Sequence, residues 1–326
     1  MWRKIISFAI VGMLLMMVMF YSAVTGSIQL SVLELIEGFF TGNEQVEIVK
    51  DLRFPRIIIG MMAGAALSVS GALLQAVVRN PLAEPGIIGI SSGAAFFSVL
   101  MVVFFPTLFF YVPLFAFIGG SLAFLLVYSF SWKSGLDPLR MILIGVAVNA
   151  VFTGLLHVFS FTGSSMVASV GDMTMSDLSM KKWSDVKIIV LYGSIGLFLS
   201  FFVYSWCNYL ALNDKTAKSL GLNVNVARFV ISGIAVLLAS VATSIAGVFA
   251  FVGLIVPHIG RSLVGTDYKL LIPFSALMGA LLILTADTLG RTMISPSEVP
   301  ASVIVALIGG PFLIFLLRKS DRVYGS

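Results

Sequence analysis

Apolar residues run in blocks of membrane-spanning length along nearly the whole chain, and polar residues gather in the short intervals between them. Crossing a hydrocarbon core takes about 20 mainly apolar helical residues. Ten segments satisfy or approach that: 5–25, 55–78, 86–106, 112–131, 139–162, 188–207, 229–247, 249–260, 270–290 and 300–318. The eighth is too short to cross alone. No interval holds a separate soluble domain. The predicted fold is therefore all-α: a polytopic membrane protein of about ten transmembrane helices, forming one domain over residues 1–326.

Two stretches break this pattern inside apolar surroundings, 80–93 and 247–265. The first follows a membrane-length run and opens on Arg79-Asn80-Pro81-Leu82-Ala83-Glu84-Pro85-Gly86; the second reads GVFAFVGLIVPHIGRSLVG. Prolines and glycines free backbone polar groups that lipid cannot satisfy, so such breaks belong beside protein or a water-filled path. Each follows a helix rich in small residues: Gly60, Gly64, Ala65, Ser68, Ser70 and Gly71 before one, Ser240, Thr243, Ser244 and Gly247 before the other. Small side chains let membrane helices approach closely. Paired interruptions in corresponding halves point to a repeat, here 55–162 and 229–318, with a pathway between the halves.

Composition agrees. Hydrophobic residues make up 59% and charged residues 11% of 326, far from the mix of a soluble domain. With ten alternating spans and an inner N-terminus, 13 of the 20 Lys and Arg fall inside and 7 outside, as the positive-inside rule asks. Both termini are then cytoplasmic. The net charge of +5 is spread over many loops, which argues against a nucleic-acid surface. Trp2, Trp132, Trp183 and Trp206 stand at predicted span ends, where amphipathic rings prefer to sit.

Little chemistry is available to a catalyst. The chain has two histidines, His157 and His258, one cysteine, Cys207, and no GxxxxGK[ST] phosphate loop. It is not expected to be an enzyme, to bind a metal or to bind a cofactor of its own. Energy must come from another chain or an ion gradient. Asp287 lies in an apolar run, where a charge costs about 2.5–3.5 kcal/mol. It suits either a proton carrier or a structural acid that orients Arg291, one turn on.

The interval 210–228 has helical character: Asn213 or Asp214 can cap a short helix that Gly221 stops. Ala217 and Gly221 would flatten one face. Such a helix suits docking in a groove of a soluble partner, or plain connection.

Taken together, RxPR at 53–56, GALLQxxxxNPLAEPGxxGxSSG at 71–93, LGL at 220–222 and FxGLIVPHIxR at 251–261 resemble the FecCD-type permeases. These are membrane subunits of binding-protein-dependent ABC importers for cobalamin, iron siderophores and haem. The resemblance covers about 27–322, and within the family 104–120 and 180–186 resemble haem-uptake permeases of Gram-positive bacteria.

That resemblance implies a type II ABC importer permease in the bacterial cytoplasmic membrane, a homodimer with two separate ATP-hydrolysing subunits and an extracellular or periplasmic binding protein. Haem or an iron siderophore is the implied cargo, with cobalamin as the alternative; an ion-coupled secondary transporter using Asp287 is the competing class. Arg53, Arg56 and Arg291 match arginines that dock the binding protein. Asp214, Lys215, Thr216, Ala217, Lys218, Leu220 and Gly221 match the ATPase coupling helix. Asn80, Pro81 and Leu82 match one cytoplasmic gate, and Asp137, Pro138 and Leu139 stand in the place of the other.

Overall fold

A computed structural model describes residues 2–25, 44–131, 138–161, 176, 178–294 and 297–324. Every regular element among them is helical: α1 (Trp2–Val24), α2 (Glu44–Val78), α3 (Ile90–Phe104), a 3-10 turn (Pro106–Tyr111), α4 (Val112–Ser131), α5 (Pro138–Phe161) and α6 (Trp183–Phe202) come first. Then follow α7 (Tyr204–Leu210), α8 (Asp214–Ser219), α9 (Val224–Ala246), α10 (Val252–Val264), α11 (Tyr268–Met293) and α12 (Ala301–Tyr324).

The expectation of ten crossing helices is met in part. Among the described residues seven helices have the length and hydropathy to cross a membrane, and three apolar helices are shorter: Ile90–Phe104, Val252–Val264 and Ala301–Leu316. Backbone breaks explain two of the three. Gly89, at φ 84°, precedes α3, and Phe105 leaves helical geometry after it. Phe251, at φ 67°, precedes α10, and Gly265, at φ 91°, follows.

The helix α2 is the axis of the fold, with α6, α9, α10 and α11 packed around it. Both α2 and α9 are largely buried, whereas α1 and α5 are mostly exposed. Small residues set this arrangement. Gly64 and Gly279 sit where α2 crosses α11, so close that a Cβ on either would meet the other's backbone. Gly71 meets Gly253 of α10 in the same way. Hydroxyls fasten the contacts: Ser68 Oγ donates to Ser275 O at 2.7 Å, and Ser70 Oγ to Ala235 O at 2.6 Å. In an apolar solvent, close packing and such bonds are what hold helices together.

Candidate functional site

The two interruptions seen in the sequence meet in space. At the end of α2, Arg79 takes a left-handed conformation with φ 55°, and Asn80 Oδ1 accepts from Leu82 N at 2.8 Å. This turn carries the chain back into the protein, so Glu84 lies only 2% exposed. Its Oε1 accepts from the backbone N–H of Phe251 at 3.2 Å. Phe251 begins α10, so the carboxylate sits on the positive end of that helix dipole. Gln75 adds a second tie, donating from Nε2 to Gly253 O at 3.0 Å. Side chains of α2 and of the first break thereby satisfy backbone groups of the second, with no lipid involved. Glu84 stands in the quoted motif, yet no local signal marked it as the link.

The short helix α8 forms where the sequence placed it. Asn213, rather than Asp214, is the cap: its Oδ1 accepts from Thr216 N at 2.9 Å. Gly221, at φ 85°, ends the helix, and Leu222 N donates back to Ala217 O at 3.1 Å. Asn223 then caps the long α9 directly. The flat face expected from Ala217 is not presented to solvent, because Ala217 is fully buried against the chain's own core. The outward groups are Lys215, Thr216, Lys218, Ser219, Leu220 and Gly221.

Asp214 connects this helix to the break at the end of α2. Its Oδ1 lies 2.6 Å from Arg79 Nη2 and 3.1 Å from Arg228 Nη2 of α9. Arg79 also donates from Nε to Leu210 O at 2.6 Å, holding the end of α7. Beside this junction a cavity of about 590 Å³ is lined by Gln75, Arg79, Asn80, Pro81, His258, Arg261 and Tyr268, among others. Asn80 and Leu82 are half-buried and Pro81 exposed. Of the second gate loop, Leu139 is exposed, while Asp137 and the side chain of Pro138 lie outside the described residues.

Arg53, Arg56 and Arg291 gather at the opposite end of α2, with their guanidiniums engaged inside the chain. Arg53 Nη1 donates to Ala23 O at 2.8 Å and Val24 O at 3.0 Å, closing the end of α1. Arg56 Nε donates to both oxygens of Asp287 at 2.9 Å, and its Nη1 lies 2.7 Å from Glu298 Oε2. Arg291 donates from Nη2 to Ser22 O and Oγ, both at 2.9 Å. The expected pairing of Asp287 with Arg291 is thus replaced by pairing with Arg56. A fork of planar N–H donors matches both carboxylate oxygens, and Arg291 is drawn instead to the uncapped carbonyls where α1 ends.

Among the described residues no group of three or more His, Cys, Asp or Glu side chains is placed to hold a metal ion. His157 is exposed on α5, and His258 packs edge-on against Phe312 at 5.7 Å. Cys207 is fully buried.

Known proteins share this architecture. The chain is 43% identical over 321 residues to the probable heme-iron transport system permease protein IsdF of Staphylococcus aureus strain MSSA476, covering 98% of each. The same protein from strain Newman gives the same identity and coverage. A putative metal-chelate type ABC transporter solved in an inward-facing conformation superposes with a TM-score of 0.81 at 28% identity, covering 97% of this chain and 99% of that one. PsaBC from Streptococcus pneumoniae, at 18% identity and a TM-score of 0.60, shares the fold over 87% of this chain. Residues 14–319 match the FecCD transport family, and over that span, with the double break joined through Glu84, the chain belongs to it.

Proposed function

We propose that this protein is the permease subunit of an ATP-driven importer of haem or a related iron chelate, working as a homodimer in the cytoplasmic membrane of a bacterium. The observation that carries the reading is the 43% identity, across 98% of both chains, to a permease named for heme-iron transport. ATP hydrolysis belongs to two separate subunits below α8, and a binding protein delivers cargo at the end bearing Arg53, Arg56 and Arg291. Both termini face the cytoplasm, and the three shorter apolar helices complete ten passages.

The homodimer is supported by α5. Though mostly exposed, this helix carries Asn149, Thr153 and His157 at four-residue spacing, which puts them along one face. Polar side chains at membrane depth turn to protein or a water-filled path rather than to lipid. A second copy, with the passage between the two, supplies that setting. In the cycle, closure of the ATPases pushes on α8; through Asp214 and Arg79 the push reaches Asn80, Pro81 and Leu82, and access alternates.

Asp287 is read as a structural counter-ion, because both of its oxygens are occupied by Arg56. Uptake into proteoliposomes tests the whole reading. Haem accumulation that requires ATP, the ATPase and the binding protein supports it. Accumulation driven by a pH gradient alone overturns it in favour of an ion-coupled carrier.

A further inference from the structure

Arg56 is held by two acids of very different standing. Asp287 is 2% exposed and binds it bidentately from inside; Glu298 is 41% exposed and binds the remaining Nη1 from outside at 2.7 Å. A buried partner cannot leave without stranding a charge, whereas an exposed ion pair is weak and exchanges readily. Asp287 fixes where the guanidinium sits. Glu298 only covers the part that faces out.

The position of Glu298 is set by its own loop. Val299 N donates to Gly290 O at 3.0 Å, and a Cβ at Gly290 would strike Val299 O, so glycine is what lets this loop lie on α11. Pro300 then leads into α12 at Ala301. The acid is thus carried on the strap that feeds α12.

We infer that Glu298 stands in for a carboxylate of the docking partner, occupying the outward face of Arg56 until an acidic side chain of the binding protein displaces it. The inference rests on the docking reading above and adds a competitor to it. Exchange keeps Arg56 paired throughout, so the buried guanidinium is never left bare. It frees the Glu298 side chain while the strap itself stays tied to α11 through Val299 N and Gly290 O.

An internal competitor weakens the measured affinity by the fraction of molecules in which Arg56 is open. For an exposed pair, removal should tighten docking by about two- to five-fold. The experiment uses the full-length permease in nanodiscs and the purified binding protein that supports uptake, with affinity measured at fixed salt. Glu298→Gln should bind about two- to five-fold more tightly, and Glu298→Asp, which keeps the charge, should stay nearer the unaltered protein. Unchanged or weaker binding by Glu298→Gln overturns the inference. Arg56→Gln combined with Asp287→Asn removes the recognised cation without stranding its buried partner. If that double variant docks normally, the docking reading itself has failed; if it docks poorly while Glu298→Gln shows no gain, only the stand-in role has.

Discussion

Arg79 Nη2 and Asp214 Oδ1 lie 2.6 Å apart, joining the left-handed turn that ends α2 to the first residue of α8. They are far apart in sequence, yet one ion pair spans the step from α8 to the turn that carries Asn80 and Pro81. Arg228 Nη2 reaches the same oxygen from α9, so Asp214 is a shared acceptor for two arginines on two helices. A push on α8 therefore has a direct route to Asn80 and Pro81. The pair is part-exposed, 31% and 41%, so its worth to stability is small, ~0.2–1 kcal/mol. In the proposed cycle its use is in transmission rather than in holding the fold.

Asp214→Asn should accordingly leave folding and assembly with the ATPase intact while lowering haem uptake per ATP hydrolysed, by up to about five-fold if the full ~1 kcal/mol acts on the coupled step. Parallel uptake and phosphate-release assays on the reconstituted importer give the ratio. An unaltered ratio would remove Asp214 from the route.

Glu84 offers a contrasting case, since it is buried and its hydrogen bond ties the first break to the second. Glu84→Ala leaves the N–H of Phe251 without its partner, which costs about 1–3 kcal/mol. Glu84→Gln keeps an acceptor oxygen at the same reach and should recover most of that. Thermal unfolding in detergent compares the two, and equal loss for both would show that the charge, not the bond, is what α10 requires.

For Asp287 the two readings part on what drives uptake. Asp287→Asn alone leaves the Arg56 guanidinium with only the exposed Glu298 as an ionised partner, and breaking a buried pair costs about 3–5 kcal/mol. Adding Arg56→Gln should return much of the stability, because no unpaired buried charge remains. Because that double variant also loses the proposed docking cation, uptake is compared in the unaltered importer. A structural acid predicts uptake that persists when the pH gradient is dissipated and ATP is supplied; a proton carrier predicts uptake that collapses with the gradient.

How much of this was legible beforehand follows from the range of each interaction. Apolar blocks need no partner to be seen, so the spans at 5–25, 112–131 and 270–290 correspond closely to α1, α4 and α11. Turn chemistry is equally local: Gly221 ends α8, and an Asn-Pro pair ends α2. Arg56 and Asp287 are 231 positions apart, and nothing short-range joins them. The local rule pointed to Arg291 instead, and failed because the end of α1 offered that arginine carbonyls which no helix bond uses. Glu298 escaped notice for the same reason. Helix length was overstated at 86–106, where the left-handed Gly89 cuts an apolar run that hydropathy reads as continuous. The short eighth segment instead corresponds to α10, which opens after the left-handed Phe251.

The crossing of α2 over α11 is the most exacting contact in the fold. Gly64 and Gly279 each lack the room for a Cβ, since the neighbour on the far side is backbone and cannot rotate away. Gly64→Ala must push the helices apart, which also strains the Ser68 to Ser275 bond beside it. Overpacking of this kind costs about 1–3 kcal/mol. Gly12, with open space around it, is the matched control and should tolerate alanine. Comparable melting temperatures for Gly64→Ala and Gly12→Ala would mean that the two helices are not pressed together in the membrane.

On α8, burial separates two residues that the sequence grouped as one surface. Ala217 faces the core at zero exposure, so Ala217→Leu overfills packing beneath the helix and should lower stability by about 1–3 kcal/mol before any partner is added. Leu220 is 58% exposed. An apolar knob on a short projecting helix is what a groove in a soluble partner would grip. Leu220→Ala should therefore leave the melting temperature of the isolated permease alone and weaken its binding to the ATPase subunit, by about ten-fold if the leucine becomes largely buried there. Isothermal titration with the purified ATPase reads this directly. Full affinity in Leu220→Ala, with weakened affinity in a correctly folded Lys215 or Lys218 variant, would move the grip from the apolar knob to the charges that flank it.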